Sequence, residues 1–282
     1  MILKLLKAHF KKTLLEYYPD VEIDSFFNLL SEKILNMKRI DISQNLYAVV
    51  SGKKCEKFQK ALDELKVYKP IQYIIGDTEF HGLVHKVNPS VLIPRPETEE
   101  LVSWIIKEFK EKQNLTILDV GTGSGCVAIS LAHYLKNASV FALDVSEKAL
   151  KVAKKNASNL NIELEFIEAN ILDWELPKIQ FDIIVSNPPY VRKSEKKSMS
   201  PNVLNHEPHL ALFVEDDDAL LFYRQIIKIS QKIMKSEGFL FFEINEKLGS
   251  DIKQLLLDFN YQSIELRKDV FNKPRMIKAK KI

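Results

Sequence analysis

Cysteine is almost absent from this sequence, in which Cys55 and Cys126 are the only two among 282 residues. Two thiols cannot supply a disulfide framework or a thiolate cage for a metal, and such scarcity is typical of a reducing compartment. Long apolar runs are missing as well, because no stretch reaches the roughly 18 residues that a membrane-spanning helix needs. The lysine-interrupted amino terminus lacks the apolar core and the cleavage site of a signal peptide. We therefore predict a cytoplasmic protein without a membrane span.

An excess of charge is also lacking, since 41 Lys and Arg face 38 Asp and Glu, for a formal net charge of +3. A dedicated nucleic-acid-binding protein usually carries a strongly basic face, so we expect no direct nucleic-acid binding. The densest basic patch, Lys193, Lys196 and Lys197, is interpreted as a solvated loop. With 46% hydrophobic and 28% charged residues, the chain has the composition of a soluble globular protein, and its length suits one large domain or two modest ones. No feature indicates an oligomer, and we expect a monomer.

The sequence divides into three regions of different character. Residues 1–69 carry apolar residues at three- and four-residue steps and predict a small all-α bundle. Residues 70–96 contain two apolar runs, 71–76 and 84–87, which predict the strands of a β-hairpin linking two domains. His81 and His85 in this linker lack partners at ligand spacing, so we predict no metal site. Residues 97–282 alternate strand and helix patterns, which predicts an α/β fold with a mostly parallel sheet and helices on both faces.

A glycine-rich turn follows the first strand of this α/β region. The strand ends in Asp119-Val120, and Gly121-Thr122-Gly123-Ser124-Gly125 leads into the next helix. Glycine lets the backbone turn tightly and pass close to a ligand. A dinucleotide-binding fold requires Gly-x-Gly-x-x-Gly, so the alternate glycines found here argue against a nicotinamide dehydrogenase. The pattern resembles motif I of class I S-adenosylmethionine methyltransferases, which would place Asp119 near the ammonium of the ligand and the amides of the turn near its carboxylate.

Further cofactor contacts are predicted at the ends of the next two strands. Asp144 ends the second strand about 20 residues after the turn, where a carboxylate can bind both ribose hydroxyls. Taken alone, Asp144 could instead cap the following helix together with Ser146. Near the end of the third strand, we predict that Asn170 and Ile171 lie beside the adenine, with Asp173 as the alternative to Asn170.

The fourth strand, residues 181–186, ends in Asn187-Pro188-Pro189-Tyr190. Proline fixes φ and removes a backbone donor, and Pro188 also restricts Asn187 to an extended conformation. The tetrapeptide therefore holds one carboxamide stiffly at the carboxyl edge of the sheet, where open α/β sheets bind ligands. An ordinary strand-ending turn could show the same Asn-Pro signal, and the upstream glycine turn favours a site. We predict that Asn187, Pro188, Pro189 and Tyr190 are catalytic and that Asn187 also contacts the cofactor.

Taken together, these motifs resemble the HemK/PrmC family, the peptide chain release factor N5-glutamine methyltransferases. The resemblance covers nearly the whole chain. Its most discriminating part is Arg95-Pro96-Glu97-Thr98, because Asn-Pro-Pro-Tyr also occurs in DNA adenine methyltransferases. The other matching stretches are Pro70–Gly76, Glu79–Gly82, the glycine turn with Asp144, and Glu207-Pro208. The chain departs from the family pattern at Asn170, where an acidic residue is usual, and at Asn245 and Asn272, where a glycine is usual.

The resemblance implies an enzyme that methylates the glutamine of the Gly-Gly-Gln loop in class I peptide chain release factors, with S-adenosylmethionine as methyl donor. Residues 1–69 would contact the release factor, residues 70–96 would form the linker, and residues 97–282 would be catalytic. Asn187 and the carbonyl of Pro188 would hold the substrate carboxamide, with Tyr190 packed beside it. The residues that would also meet the substrate are Phe80, Arg95, Glu97 and Pro189. Arg95 could instead order the linker.

Two other functions stay open at this point. An adenine-N6 methyltransferase acting on DNA or RNA would use the same tetrapeptide, Asn187-Pro188-Pro189-Tyr190 (hereafter the clamp), on a flipped base. The modest net charge of the chain argues against this function. A non-catalytic protein could retain the fold and dock onto a translation factor, although the intact glycine turn and the intact clamp argue against that function.

Overall fold

A computed structural model describes all 282 residues, which form two compact units. The first unit comprises residues 1–76 and 200–206, and the second comprises residues 77–199 and 207–282. No helix in either unit is both long enough and apolar enough to cross a membrane. The functional division predicted from the sequence, with boundaries after residues 69 and 96, stays a prediction.

The regular secondary structure of the first unit is helical, as the sequence predicts for residues 1–69. Its helices up to residue 76 are α1 (Leu3–Leu14), α2 (Asp20–Leu35), α3 (Arg39–Gln44), α4 (Gly52–Lys66) and α5 (Ile71–Ile75). Three aromatic rings form the centre of its core: Phe10 packs edge-on against Phe27 and Phe58, with ring centroids 5.5 and 6.3 Å away. Such edge-to-face pairs add to the burial of apolar area that stabilises a small bundle. The apolar stripes of α1, α2 and α4 therefore face one common core.

The segment 71–76 is predicted as a strand, and that prediction is wrong. The structure has helix α5 there, whose first turn closes when the amides of Tyr73 and Ile74 donate to the carbonyl of Pro70. Gly76 ends the helix in the left-handed conformation, with φ of 83°. A short apolar run does not distinguish a buried strand from a buried helical turn by its periodicity, and Pro70 at the start favours the helix.

The second unit contains every strand of the protein and most of the remaining helices. The strands are β1 (Asp77–Phe80), β2 (Leu83–Lys86), β3 (Thr116–Val120), β4 (Ser139–Asp144), β5 (Glu165–Glu168), β6 (Phe181–Ser186), β7 (Val191–Arg192), β8 (Phe213–Val214), β9 (Met234–Glu243), β10 (Gln262–Lys268) and β11 (Pro274–Lys280). The helices are α6 (Pro96–Phe109), α7 (Cys126–Tyr134), α8 (Glu147–Asn159), α10 (Leu221–Ile233) and α11 (Gly249–Asp258), while α9 (Pro201–His206) belongs to the first unit.

Seven strands form one sheet in the order β10-β11-β9-β6-β3-β4-β5. The five strands from β9 to β5 are mutually parallel, and β11 pairs antiparallel with both β9 and β10. The predicted mostly parallel α/β fold is therefore confirmed. The chain proceeds from β3 to β4 on one side and reaches β6 on the other. Such a reversal of strand order opens a crevice at the carboxyl ends of the strands.

Both faces of the sheet are buried, so each central strand contributes to two hydrophobic cores. In β6, Ile183 and Val185 face the core that includes α6 and α7, whereas Ile184 faces the core that includes α10 and α11. Phe181 also belongs to the second core, because the strand has a register shift between Phe181 and Ile183. Side chains alternate between the faces of a strand, and a strand covered on both faces reads as a continuous apolar run. This burial fixes the register of β3 and β6, and with it the positions of the residues that follow them.

Candidate active site

The glycine turn and the clamp meet at one edge of the sheet because the parallel strands that precede them end level with each other. Val120, the last residue of β3, pairs with Leu143 of β4 on one side and with Ser186 of β6 on the other. The buried Ser186 hydroxyl also donates to the Val120 carbonyl over 2.7 Å. Gly121 and Asn187, the next residues along the chain, therefore leave the sheet side by side.

A cavity of about 300 Å³ opens at this edge, a size in the range of small-molecule sites. The predicted cofactor residues that line it are Asp119, Gly121, Thr122, Gly123, Ser124, Asp144, Asn170, Ile171 and Asn187. Gly125 and Asp173 do not line the cavity. Of the two residues considered for the adenine contact, Asn170 therefore lines the cavity and Asp173 does not.

The glycine turn has the backbone that its sequence predicts. Gly121, Gly123 and Gly125 have φ values of 77°, 56° and 82°, a conformation that other residues adopt only with strain. A Cβ atom at Gly121 or Gly123 would have no protein atom within 4 Å, because these two residues border open space. A Cβ atom at Gly125 would lie 3.0 Å from the Cβ of Ala153 in α8. Two glycines therefore leave room for a ligand, and the third lets two helices approach.

Asp119 stabilises the glycine turn through hydrogen bonds to its carboxylate. Its Oδ2 accepts hydrogen bonds from the Thr122 hydroxyl over 2.6 Å and from the Ala128 amide over 3.2 Å. The side chain is only 2% exposed, and this burial raises the pKa of its carboxyl to about 7, with a smaller contribution from the charge of Asp144. A cation bound at this point would offset the cost of ionising a desolvated carboxylate.

Asp144, the last residue of β4, also lines the cavity. Its Oδ2 accepts from the Gly123 amide and its Oδ1 accepts from the Ser146 amide, each over 2.9 Å. Burial raises the pKa of this carboxyl above its ordinary value, while these hydrogen bonds act in the opposite direction. Ser146 itself caps α8 by accepting from the Ala149 amide. The side chain is therefore held rigidly, with acceptor positions that a ribose diol could use.

These residues fit a nucleoside that carries both an ammonium and a carboxylate, as S-adenosylmethionine does. The buried Asp119 suits the ammonium, the fixed Asp144 suits the ribose, and the open space above Gly121 and Gly123 suits close approach to the backbone. Phe222 and Ile226 of α10 add an apolar wall near Ile171. No group of three or more His, Cys, Asp or Glu side chains is arranged to hold a metal ion.

Asn187 is held by Thr98, a residue to which the sequence motif assigns no role. Its Nδ2 donates to the hydroxyl of Thr98 over 3.2 Å, and that hydroxyl donates to Oε2 of Glu243 over 2.5 Å. Thr98 comes from the first turn of α6 and Glu243 from the last position of β9. Both are buried, at 4% and 2% exposure. Asn187 is therefore one end of a buried polar chain.

Tyr190 lies at the other end of this chain. Its hydroxyl donates to Oε1 of Glu243 over 3.2 Å, and burial raises its pKa far above the ordinary value. The phenol is therefore neutral and acts as a donor rather than as a base. Tyr190 and Glu243 line a second, smaller cavity of about 50 Å³. Because Asn187 and Pro188 line both cavities, the clamp lies where the two cavities meet.

Arg95 has a partner within the protein. Its guanidinium lies 2.5 Å from Oε1 of Glu207, whose Oε2 accepts from the Ile93 amide. Glu207 is 4% exposed, so this pair ties segment 93–95 to the loop that begins at residue 207. Arg95 also lines both cavities, so its side chain can contact a bound substrate while it is paired with Glu207.

The structure does not bring every predicted substrate residue to the clamp. Phe80 is 1% exposed and belongs to the hydrophobic core beneath α6 and α7, so its ring lines neither cavity. Glu97 also lines neither cavity, although its charge acts on Tyr190 and Glu243. Pro189 lines the larger cavity. The ring of Phe80 therefore stabilises the core of the second unit, and a contact between Phe80 and the substrate stays a prediction.

Asn156 of α8 is a further structural residue that sequence reasoning misses. It is fully buried and connects strand β2, which pairs antiparallel with β1, to the glycine turn. Its Oδ1 accepts a hydrogen bond from the Lys86 amide, and its Nδ2 donates to the carbonyls of Lys86 and Ser124. The available signal is a lone asparagine on the apolar face of α8, between Val152 and Ala157. Thr98 and Glu243 give no comparable signal, because Thr98 stands between two glutamates at a helix start and Glu243 is a charged residue at a strand end.

Comparisons with known proteins agree with this architecture. The PrmC N-terminal domain profile matches residues 7–76, and the Methyltransferase small domain profile matches residues 100–210. A protein of Flavobacterium psychrophilum named release factor glutamine methyltransferase is 49% identical over 282 residues, which cover 99% of each chain. Proteins with the same name from Bacteroides thetaiotaomicron and Streptococcus pneumoniae are 40% and 37% identical, over 96% and 98% of this chain and 98% of each relative.

Solved structures share the fold. A methyltransferase from Pyrococcus furiosus superimposes with a TM-score of 0.53 at 18% identity, covering 71% of this chain and 90% of the other. The 16S rRNA N2 G1207 methyltransferase of Thermus thermophilus gives a TM-score of 0.54 at 16% identity, covering 73% and 50%. At these identities the likeness concerns the fold, that of class I methyltransferases. The similarity to the curated relatives is far higher and extends over the whole chain, which confirms the resemblance carried by the sequence motifs: the chain belongs to the family of release factor glutamine methyltransferases.

Proposed function

We propose that this protein transfers a methyl group from S-adenosylmethionine to the side-chain amide nitrogen of the glutamine in the Gly-Gly-Gln loop of class I peptide chain release factors. Curated relatives that match almost the whole chain carry the name release factor glutamine methyltransferase, which supports the reaction and the class of substrate. The observation that carries the proposal is the position of Asn187, at the wall shared by a cofactor-sized cavity and a smaller one.

The chemistry requires a site that grips a planar amide. A carboxamide nitrogen is a weak nucleophile because its lone pair is delocalised into the carbonyl. The Asn187 side-chain oxygen and the Pro188 carbonyl would accept the two N–H groups of the substrate amide and fix its orientation. Bound S-adenosylmethionine supplies an electrophilic methyl group. As the nitrogen–methyl bond forms, the methyl–sulfur bond breaks and S-adenosylhomocysteine is the leaving group. The two fixed acceptor dipoles stabilise the positive charge that develops on the nitrogen until one of its two protons is lost to water, and alignment supplies much of the remaining acceleration.

The smaller cavity suits the glutamine side chain. Leu92 and Ala211 line it with apolar groups, which suit the methylenes of glutamine, and Tyr190 and Glu243 line it with polar groups. The names of the curated relatives support glutamine over adenine as the group that is methylated.

The first unit is proposed to contact the release factor. It exposes apolar side chains at Tyr47 and Val49, which are 73% and 81% accessible, beside the amino-terminal strand bridge between Ile2 and Val49. Contiguous exposed apolar patches mark contact surfaces, and these two side chains are the candidates for such a patch on this unit. A cytoplasmic location, a monomeric state and the absence of direct nucleic-acid binding complete the proposal.

Methyl transfer from labelled S-adenosylmethionine tests the proposal directly. The substrates are a purified class I release factor, its variant with Gln replaced by Ala in the Gly-Gly-Gln loop, and duplex DNA. We expect label on the unmodified factor alone. Label on DNA would favour the adenine alternative, and cofactor binding without label on any substrate would favour a non-catalytic docking protein.

Asn187→Ala tests the assignment of the clamp. Removing one fixed dipole should lower kcat by about 100-fold or more, the range seen when one such group is removed from an active site. The affinity for S-adenosylmethionine, measured by calorimetry, should change far less, because Asp119 and Asp144 are untouched. Comparable losses in both quantities would contradict the assignment.

A further inference from the structure

Asn187 must present its oxygen, not its nitrogen, if it is to accept a hydrogen bond from a substrate amide. The two ends of a carboxamide have the same shape, so packing alone does not select one orientation. In this structure Nδ2 is directed at the Thr98 hydroxyl, 3.2 Å away, which leaves Oδ1 for the cavity. What fixes this orientation is therefore a question about the hydrogen-bond direction at Thr98.

The direction at Thr98 depends on Glu243. An ionised carboxylate can only accept hydrogen bonds, so the single hydroxyl proton of Thr98 goes to Oε2 of Glu243, 2.5 Å away. Thr98 then has only lone pairs left for Asn187, and these can meet Nδ2 but not Oδ1. The Tyr190 hydroxyl occupies Oε1 of Glu243 as a second donor. Every hydrogen bond in the chain consequently runs toward Glu243.

We propose that Glu243 is a positioning residue which, through the Thr98 hydroxyl, fixes the amide of Asn187 with its oxygen facing the substrate. This inference rests on the proposed function, because it assumes that Asn187 receives the substrate amide. A protonated Glu243 could donate to Thr98, whose own proton could then go to Oδ1 of Asn187. The amide would turn over and present a donor to the donor groups of the substrate.

The surroundings of Glu243 raise the pKa of its carboxyl to near neutral pH. Burial raises the pKa of its carboxyl to about 7, the hydrogen bonds from Thr98 and Tyr190 lower it, the charge of Glu97 on α6 raises it, and Arg275 on β11 lowers it. From α10, the neutral Tyr223 donates to the backbone carbonyl of Glu243 and not to its carboxylate. Because the ionised form is the one that orients Asn187, kcat should fall as the pH drops below about 7.

The kinetic test uses two substitutions and a conservative control. Thr98→Val keeps the shape of the side chain and removes the relay hydroxyl, and we expect kcat to fall by about 10- to 100-fold, the scale of a misplaced reacting group. KM for the release factor and the affinity for S-adenosylmethionine should change much less. Thr98→Ser restores the hydroxyl and should recover most of the lost kcat. At saturating S-adenosylmethionine, whose ammonium holds Asp119 ionised, the decline of kcat between pH 8 and pH 6 should disappear in Thr98→Val and in Glu243→Gln.

A second readout does not depend on activity. The side-chain amide resonances of Asn187 are identified in ¹⁵N spectra by their loss in Asn187→Asp. In the unaltered protein they should titrate between pH 6 and pH 8, and in Thr98→Val they should shift and cease to titrate. An amide that neither titrates nor responds to Thr98→Val would overturn the inference, whatever the protein methylates.

The two proposals can fail separately. If Asn187→Ala is inactive while Thr98→Val keeps the kcat and the pH profile of the unaltered enzyme, the inference is wrong and the proposed function stands. If the release factor is not methylated but the amide titrates as described, the orientation by Glu243 stands and the proposed function is wrong. A uniform loss of folded protein in Thr98→Val, seen by circular dichroism, is separated from the expected result by the recovery in Thr98→Ser.

Discussion

The three glycines of the turn should respond differently to alanine, although their sequence pattern treats them alike. At Gly125 a Cβ atom would lie 3.0 Å from the Cβ of Ala153, 3.1 Å from Cδ1 of Ile129 and 3.3 Å from the Cα of Ala153. Ala153 has no flexible side chain that could move aside, so α8 itself would have to shift. At Gly121 the same atom would meet nothing within 4 Å.

Both substitutions carry the same backbone cost, which isolates the packing contribution. The φ values of 77° at Gly121 and 82° at Gly125 lie in the left-handed region, where an L-residue is strained by about 1–2 kcal/mol. The lower entropy of the unfolded chain returns about 0.4–1 kcal/mol. Overpacking of a tight core adds about 1–3 kcal/mol, which applies to Gly125 alone. We therefore expect Gly125→Ala to lower the free energy of unfolding by about 1–3 kcal/mol more than Gly121→Ala does.

Urea unfolding followed by tryptophan fluorescence provides the assay. The protein has two tryptophans, Trp104 and Trp174, and both lie in the second unit, so the signal follows the unit that contains the turn. Gly121→Ala is the matched control, and it should instead weaken the binding of S-adenosylmethionine, because its methyl group points into open space at the cavity. Equal destabilisation by the two substitutions, within about 0.5 kcal/mol, would refute the packing argument.

Other predictions concern buried polar groups and the pH dependence of stability. His85 is fully buried with no hydrogen-bond partner on either ring nitrogen, and burial lowers its pKa from 6.5 to about 4. Between pH 6.5 and about pH 4, the imidazole binds a proton in the unfolded chain but not in the folded protein. The contribution of His85 to the free energy of unfolding is therefore complete above pH 6.5 and is lost as the pH falls through this range. His85→Phe should remove about 2 kcal/mol of the loss between pH 7.5 and pH 5 in urea titrations, and an unchanged pH dependence would contradict this. Asn156→Ala leaves polar groups of Lys86 and Ser124 unpaired and should lower the free energy of unfolding by about 3 kcal/mol or more, whereas Asn156→Asp should be tolerated no better because a carboxylate cannot donate to the carbonyls.

The parts of the site that depend on local sequence are the parts that could be predicted. The glycine turn, Asp144 and the clamp each follow a strand whose apolar run is unmistakable, and parallel strands must end at a common edge. The strand β6, residues 181–186, has the bounds that the sequence predicts. The strand prediction for segment 71–76 is wrong because the local sequence there carries no clear pattern. The helix depends on one turn of hydrogen bonds to Pro70, and no periodicity can develop over so short a run.

The direction of the hydrogen bonds at the clamp lies beyond any local pattern. Thr98 meets Glu243 across 145 positions of the sequence and meets Asn187 across 89. A buried threonine in the first turn of a helix reads as a helix-start residue, and a glutamate at the end of a strand reads as a surface charge. Only the fold shows that the helix start, the strand end and the clamp converge. The motif therefore identifies which amide meets the substrate, while the oxygen of that amide is presented because β9 places a carboxylate beneath α6.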